Sequence, residues 1–259
     1  MKVIDMFVRP WLKQFGRGMV DLIFPPSCCW CQKLSSESSD TPLGQPLVCQ
    51  TCTAKFPAFP PHQCQRCSAI VGPYVDSTEG CSTCRDYRFH FDDVFSWNRY
   101  EGELSELCIN MKFPQRELLI EWVSQQLQLQ LLPRLSQWNA DLVLGVPEYR
   151  MFGSPVSNHM PQQMARHIAR MGKLREVNHL LVKQLQRPKQ AFLSKTERKN
   201  NLDGAFRVTR PRQIAGKSII VVDDILTTGS TVSEVAKTLK AAGATHVHIV
   251  VVARTTSMI

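Results

Sequence analysis

No apolar run in this 259-residue chain reaches the ~18–20 residues that a membrane-spanning helix needs. No transmembrane segment is therefore expected. A complete Gly-x-x-x-x-Gly-Lys-Ser/Thr phosphate loop is also missing, since the one Gly-Lys-Ser, Gly216-Lys217-Ser218, has Pro211 in place of the first glycine, which argues against a nucleotide-triphosphate hydrolase of the Walker type. The N-terminus lacks the uninterrupted apolar stretch of a signal peptide, because Arg9 and Lys13 break it. Internal repetition is absent apart from paired cysteines. Acidic residues are few, 22 against 31 Lys and Arg, so the formal net charge is +9.

That charge shrinks once the cysteines are considered. Eight of the ten fall in four Cys-x-x-Cys pairs: Cys28/Cys31, Cys49/Cys52, Cys64/Cys67 and Cys81/Cys84. Two intervening residues let both thiolates reach one tetrahedral ion from a tight turn. The surrounding segment has no long periodic apolar stretch, so metal binding would supply its folding energy. Two structural zinc ions in closed four-cysteine shells are expected. Eight thiolates and two dications reduce the net charge to about +5. The spacing leaves two pairings open, consecutive pairs or a crossed arrangement. Cys29 and Cys108 read as inert thiols, and His62 and His90 as surface residues. Reduced, metal-loaded cysteines point to the cytoplasm.

Most of the remaining positive charge sits between Lys183 and Lys217. That segment holds ten Lys or Arg and only two acids, Glu197 and Asp203. It reads either as a solvated charge run or as a phosphate-binding surface. At the N-terminus, Ile4, Phe7, Val8, Trp11, Leu12 and Phe15 fall on one helical face. Lys2, Arg9, Lys13 and Arg17 occupy the other sides. Such a helix packs on its own protein or a partner, or lies on a membrane surface.

The most specific run is Ile219 to Thr231. Ile219-Ile220-Val221-Val222 reads as a buried parallel strand. Asp223 and Asp224 are placed where it ends. Leu226-Thr227-Thr228-Gly229-Ser230-Thr231 then opens a helix carrying Val232, Val235, Ala236 and Leu239 at helical spacing. Free N–H groups at a helix start, with several hydroxyls, suit a phosphate. Paired acids one turn away suit ribose hydroxyls. Strands are also expected at Asp93–Tyr100, Leu142–Val146 and His246–Ala253, with helices near 104–111, 116–132 and 162–171. Alternating strands and helices imply a parallel α/β sheet, with ligands beyond the carboxyl ends of its strands. The organisation expected is an N-terminal amphipathic helix (1–27), a cysteine zinc module (28–90) and an α/β domain (91–259).

The Asp223–Thr231 run resembles the PRPP-binding motif of type I phosphoribosyltransferases. The order of features along the chain is similar to the ComF family, which includes the GntX proteins. Its landmarks are the four cysteine pairs, Tyr100 with Gly102, Leu107 through Lys112-Phe113, and Val146-Pro147. They continue with Gln190, Arg198 with Asn201, Gly204-Ala205-Phe206, Gly243-Ala244 and Arg254. The resemblance implies a type I phosphoribosyltransferase-like sheet behind a small zinc-ribbon-like domain. It also implies a role in natural transformation, handling incoming single-stranded DNA with competence partners. Asp223 and Asp224 would hold the ribose hydroxyls and help order magnesium. Thr227, Thr228, Gly229, Ser230 and Thr231 would hold the 5-phosphate. Val146, Pro147 and Arg150 would meet the pyrophosphate, with Arg198 and Lys112 as further positive charge. Thr227 stands where purine phosphoribosyltransferases carry an acid. Val156-Ser157-Asn158-His159-Met160 replaces the family's Arg-Gly-Phe-Asn-Gln, and Glu148 follows Val146-Pro147. Two functions are carried forward: a protein of DNA uptake that binds PRPP or a related ribose phosphate, and an active transferase with an unknown acceptor.

Overall fold

A computed structural model describes residues 27–34, 47–148, 159–184 and 203–256. The chain divides into two compact units, Met1–Lys55 and Phe56–Ile259. The division falls between the second and third cysteine pairs. The expected amphipathic helix over residues 1–27 lies almost wholly outside the described residues.

In the smaller unit, Cys28 opens a tight turn. The turn closes through Gln32 N–H to Cys28 O (2.8 Å) and Cys28 N–H to Lys33 O (2.9 Å). Gln32 adopts a left-handed backbone with φ 61°. A single helical turn, Gln50–Thr53, carries Cys52. Among its described residues only Cys28, Val48 and Cys52 are buried. Its core is thus largely its own ligand set.

The larger unit is built on a five-stranded sheet, β1-β7-β6-β2-β3. The strands are β1 (Asp93–Arg99), β2 (Leu142–Gly145), β3 (Arg175–Glu176), β6 (Ser218–Leu226) and β7 (His246–Arg254). Every neighbouring pair is parallel. A separate antiparallel pair joins β4 (Leu181–Lys183) and β5 (Phe206–Val208). The helices are α1 (Gly102–Asn110), α2 (Glu117–Trp138), α3 (Met160–Gly172) and α4 (Ser230–Ala241). The two central strands β6 and β7 bury Ile219–Val222 and Val247–Ala253. Continuous burial on both faces explains why β6 reads as an apolar run over Ile219–Val222 and β7 as one over Ile249–Ala253, rather than as alternating patterns.

Two boundaries differ from expectation. Helix α2 continues through Pro133 to Trp138. Proline removes one N–H and with it a bond to the carbonyl four residues earlier. That carbonyl belongs to Leu129, an exposed residue. Strand β6 runs through the paired aspartates to Leu226 instead of stopping before them. The cause is β7, which keeps pairing on that side: Asp223 aligns with Val251, Ile225 with Ala253 and Leu226 with Arg254. On the other side β2 stops at Gly145, opposite Val222. The acids therefore lie where β6 projects past its shorter neighbour.

The third and fourth cysteine pairs belong to this larger unit and protect the outer edge of β1. Cys64 opens a turn matching that of Cys28, closed by Ser68 N–H to Cys64 O (2.7 Å). Ser68 is left-handed, φ 58°. Ser96 in β1 donates to the Ser68 hydroxyl through both its N–H (3.0 Å) and its Oγ (2.9 Å). Val94 N–H donates to Gln65 O (3.0 Å), and Trp97 Nε1 to Pro57 O (2.8 Å). An edge strand that would otherwise present unpaired groups is thereby covered.

Candidate functional site

The carboxyl ends of β2 and β6 open into a cleft of about 780 Å³. Its walls include Val146, Pro147, Asp223, Asp224, Thr227 and Thr231. Six of the residues picked out in the sequence are thus brought together from segments some 80 residues apart. Thr228, Gly229 and Ser230 form the turn between Thr227 and Thr231. Gly229 has φ 76°, a left-handed geometry that favours glycine, and it precedes the first residue of α4. Thr228 Oγ1 lies 2.7 Å from Ser230 Oγ and accepts from Ser230 N–H at 3.2 Å. Hydroxyls and N–H groups at a helix start are well suited to an anion.

The β2 side is set by close packing. A Cβ on Gly145 would lie 2.4 Å from the Pro161 carbonyl carbon and 2.5 Å from Gln162 N. Only glycine lets the start of α3 sit against the strand end. Asn178 secures both: its Oδ1 accepts from Gly145 N–H (2.7 Å) and its Nδ2 donates to Gln162 O (3.2 Å). Val146 N–H donates to Val222 O (2.8 Å), so Pro147 and Glu148 leave the sheet at the cleft. His159, the residue before α3, pairs through Nδ1 with Glu148 Oε2 at 2.9 Å. Arg150 and residues 156–158 lie outside the described residues. So do Gln190, Arg198, Asn201 and most of the basic segment.

The acids differ in their surroundings. Asp223 Oδ1 accepts from Asp224 N–H (2.9 Å), and Asp224 Oδ1 accepts from Ile225 N–H (2.8 Å). Burial, with Asp224 beside it, pushes the Asp223 carboxyl up to about 8. Asp224 instead has a cation: Lys112 Nζ stands 2.6 Å from its Oδ2. Burial pulls the Lys112 ammonium down, and Asp224 more than offsets that, leaving it raised. Cys108, one turn earlier on α1, is buried, and its thiol is pushed up to about 12 by burial, with Asp224 adding to the effect. A buried thiol raised in this way is a poor nucleophile. The Lys112–Asp224 contact spans 112 residues, and no local pattern could have signalled it. Arg116, Lys183 and Glu148 also line the cleft. Sequence reasoning gave no site role to Arg116, and Lys183 entered it only as the first residue of the basic segment.

The cysteines form two tetrads of consecutive pairs, Cys28/Cys31/Cys49/Cys52 and Cys64/Cys67/Cys81/Cys84. The crossed arrangement is excluded. In each, the four sulfurs lie within 4.8 Å of one another. A zinc–sulfur bond of about 2.3 Å in a tetrahedron places sulfurs about 3.8 Å apart. The second tetrad has Cys67–Cys81 at 3.7 Å, Cys64–Cys84 at 3.8 Å and Cys81–Cys84 at 4.0 Å. The donor set fits a closed zinc shell. A hydrogen bond from Cys67 holds the Cys64 thiol down at about 4, so even without metal one thiolate is favoured. His62 and His90 are exposed, as expected of surface residues. No described helix is long and apolar enough to cross a membrane.

Residues 152–257 match the phosphoribosyl transferase domain family. The DNA utilization protein YhgH of Escherichia coli O6:H1 is 26% identical over 233 residues, covering 89% of this chain and 98% of its own length. Competence protein F of Haemophilus influenzae is 22% identical over 206 residues, covering 78% of this chain and 88% of its own. A solved glutamine PRPP amidotransferase from B. subtilis, complexed with ADP and GMP, aligns with 51% of this chain and 26% of its own. Its identity is 22% and its TM-score 0.35. The chain is thus similar over residues 152–257 to the phosphoribosyl transferase domain family, and along most of its length to the DNA utilization protein and competence protein F, with cysteine clusters N-terminal to the family match.

Proposed function

We propose that the cleft binds PRPP or a related ribose phosphate, and that the protein serves DNA uptake or utilization, contacting single-stranded DNA and competence proteins. The observation that supports the ligand best is the meeting of Val146-Pro147, Asp223-Asp224, Thr227 and Thr231 in one cleft. The turn at the start of α4 would take the 5-phosphate through N–H groups and hydroxyls. Asp223 and Asp224 would accept from ribose hydroxyls. The Val146-Pro147 turn would face the diphosphate. Arg150 would join it there, and Arg198 would add positive charge from the basic segment. Magnesium, bound with the ligand near the acids, would supply charge neutralisation for the diphosphate. Zinc would occupy both tetrads as a structural ion, and the reduced thiolates fit a cytoplasmic protein.

Calorimetric titration with PRPP tests the ligand. The expected result is saturable binding that falls about 10- to 100-fold in Asp224→Asn, which keeps the shape but loses the charge. No binding to the wild type would overturn the reading. For DNA, the expected result is single-stranded binding that weakens with salt and falls when Arg198, Lys199 and Arg207 are neutralised together. Deleting the gene and scoring transformation tests the cellular role, and normal transformation would remove it.

A second reading is turnover: Asp223 lines the cleft, and burial with Asp224 beside it raises its carboxyl, which suits proton transfer near neutral pH. An active phosphoribosyltransferase would release pyrophosphate from PRPP with an acceptor. Loss of that release in Asp224→Ala would support the enzyme. Silence across a broad acceptor panel would leave the binding role.

A further inference from the structure

We infer that Arg254 is the buried counter-charge of the second cysteine tetrad, Cys64/Cys67/Cys81/Cys84, when that tetrad holds a dication. The inference rests on the zinc reading of that site. Four thiolates around one dication leave a shell of net charge about −2. Inside an apolar cluster such a charge is stabilised by a cation close by. Arg254 is the only buried lysine or arginine among the described residues, at 4% exposure. Its Nε and Nη2 have no hydrogen-bond partner. None of the ion pairs among the described residues includes it. A guanidinium buried without a counter-ion is costly, and a loaded tetrad supplies the missing negative charge.

The place of Arg254 in the sheet points to that tetrad. It ends β7, and its aligned neighbour on β6 is Leu226. Leu226 belongs to the same apolar cluster as Cys64, Cys67, Cys81 and Cys84. The end of β7 therefore lies against the cluster that holds the tetrad. On its other flank β7 pairs with β1, whose Ser96 holds Ser68, the residue after Cys67. The charge of Arg254 also reaches the ligands. A hydrogen bond with Cys64 and burial raise the Cys67 thiol, and Arg254 acts on it in the opposite direction. Without metal one thiolate, that of Cys64, is favoured. With metal all four sulfurs are thiolates. The attraction to Arg254 is thus stronger in the loaded state, so the arginine raises the metal affinity of this tetrad. The first tetrad has no buried lysine or arginine among the described residues to do the same.

The experiment measures zinc affinity of the full chain by competition with a chromophoric chelator, in the wild type, Arg254→Met, Arg254→Gln and Arg254→Lys. Cys49→Ser assigns the two sites, and the first tetrad serves as the internal reference. Removing an outer-shell partner of a metal ligand costs about 10- to 100-fold in affinity. Both neutral variants should show that loss at the second tetrad and none at the first. Arg254→Lys, which keeps the charge, should recover most of it, a rescue that a packing role would not give. Unchanged affinity in the neutral variants, equal losses at both tetrads, or a loss in Arg254→Lys as large as theirs would overturn the role of Arg254 alone. If neither neutral variant folds at saturating zinc, a folded, zinc-loaded Arg254→Lys supports the role, and failure of all three overturns it. Wild-type protein that takes up no zinc at the second tetrad would overturn the zinc reading itself, and this inference with it.

Discussion

The two cysteine tetrads share one local design and differ in what surrounds them. Each begins with a Cys-x-x-Cys turn whose residue four after the first cysteine is left-handed, Gln32 in one and Ser68 in the other. Yet Cys31 and Cys49 remain partly accessible, whereas Cys64, Cys67, Cys81 and Cys84 are all buried. The second tetrad packs in the same apolar cluster as Val94 of β1, Val221 of β6 and Ile249 of β7. Among the described residues of the smaller unit, the first tetrad has no buried neighbour beyond Val48. Metal binding would therefore have two consequences. Among the described residues of the smaller unit an ion would stand in for a core. In the larger unit it would complete one, and with it the edge of the sheet that carries the cleft.

The largest expected effect tests that contrast directly. Structural zinc contributes on the order of 10–16 kcal/mol in small peptides, so losing one ligand of a buried shell is severe. Cys64→Ser should abolish the cooperative melting of the larger unit, followed by circular dichroism, and PRPP binding with it. Cys49→Ser should leave both in place. Equal damage from the two variants would break the comparison. Next in size is the order of metal release. A chelator should strip zinc in two phases, the partly accessible tetrad first. Assigning the fast phase with Cys49→Ser checks it, and a single phase would contradict the burial argument.

The same contrast shows what could be read in advance. Cysteine ligands act at short sequence range, so their spacing announced both tetrads. It could not say which pairs share an ion, because both arrangements satisfy a tetrahedron and only the packed turns choose. The Asp223–Thr231 run was legible because strand, acids and helix start are contiguous. The projection of β6 past Asp223 was not, since it depends on β7 pairing to Arg254 while β2 stops at Gly145. Lys112 was singled out only through the family resemblance, as a further positive charge, and its pairing with Asp224 on β6, 112 residues away, could not be read from spacing.

The acid pair offers a smaller, pH-dependent test confined to the larger unit. Asp223 is raised from 3.8 to about 8 in the folded protein. The folded state therefore holds this proton more tightly than the unfolded chain. Its contribution to stability is fully present below about pH 4 and is lost as pH rises through about 8. Melting of the larger unit should fall over that window, and Asp223→Asn should flatten the profile. The metal-release rate of the first tetrad gives an internal reference that the substitution should not move. A wild-type profile as flat as that of the variant would contradict the raised titration of Asp223.

The smallest effect separates the two left-handed positions. Glycine relieves the backbone strain at either. At Gln32 the side chain is exposed, so Gln32→Gly should change stability by less than about 1 kcal/mol. Ser68 is 1% exposed and accepts from both Ser96 donors. Ser68→Gly would leave a buried N–H and a buried hydroxyl without an acceptor, at about 1–3 kcal/mol for each unsatisfied group. That exceeds the relief of strain, so Ser68→Gly should be destabilising in denaturant titration of the larger unit. If both glycine variants were neutral, the serine pair would not be what joins the second tetrad to β1. The difference between the tetrads would then reside in apolar packing alone.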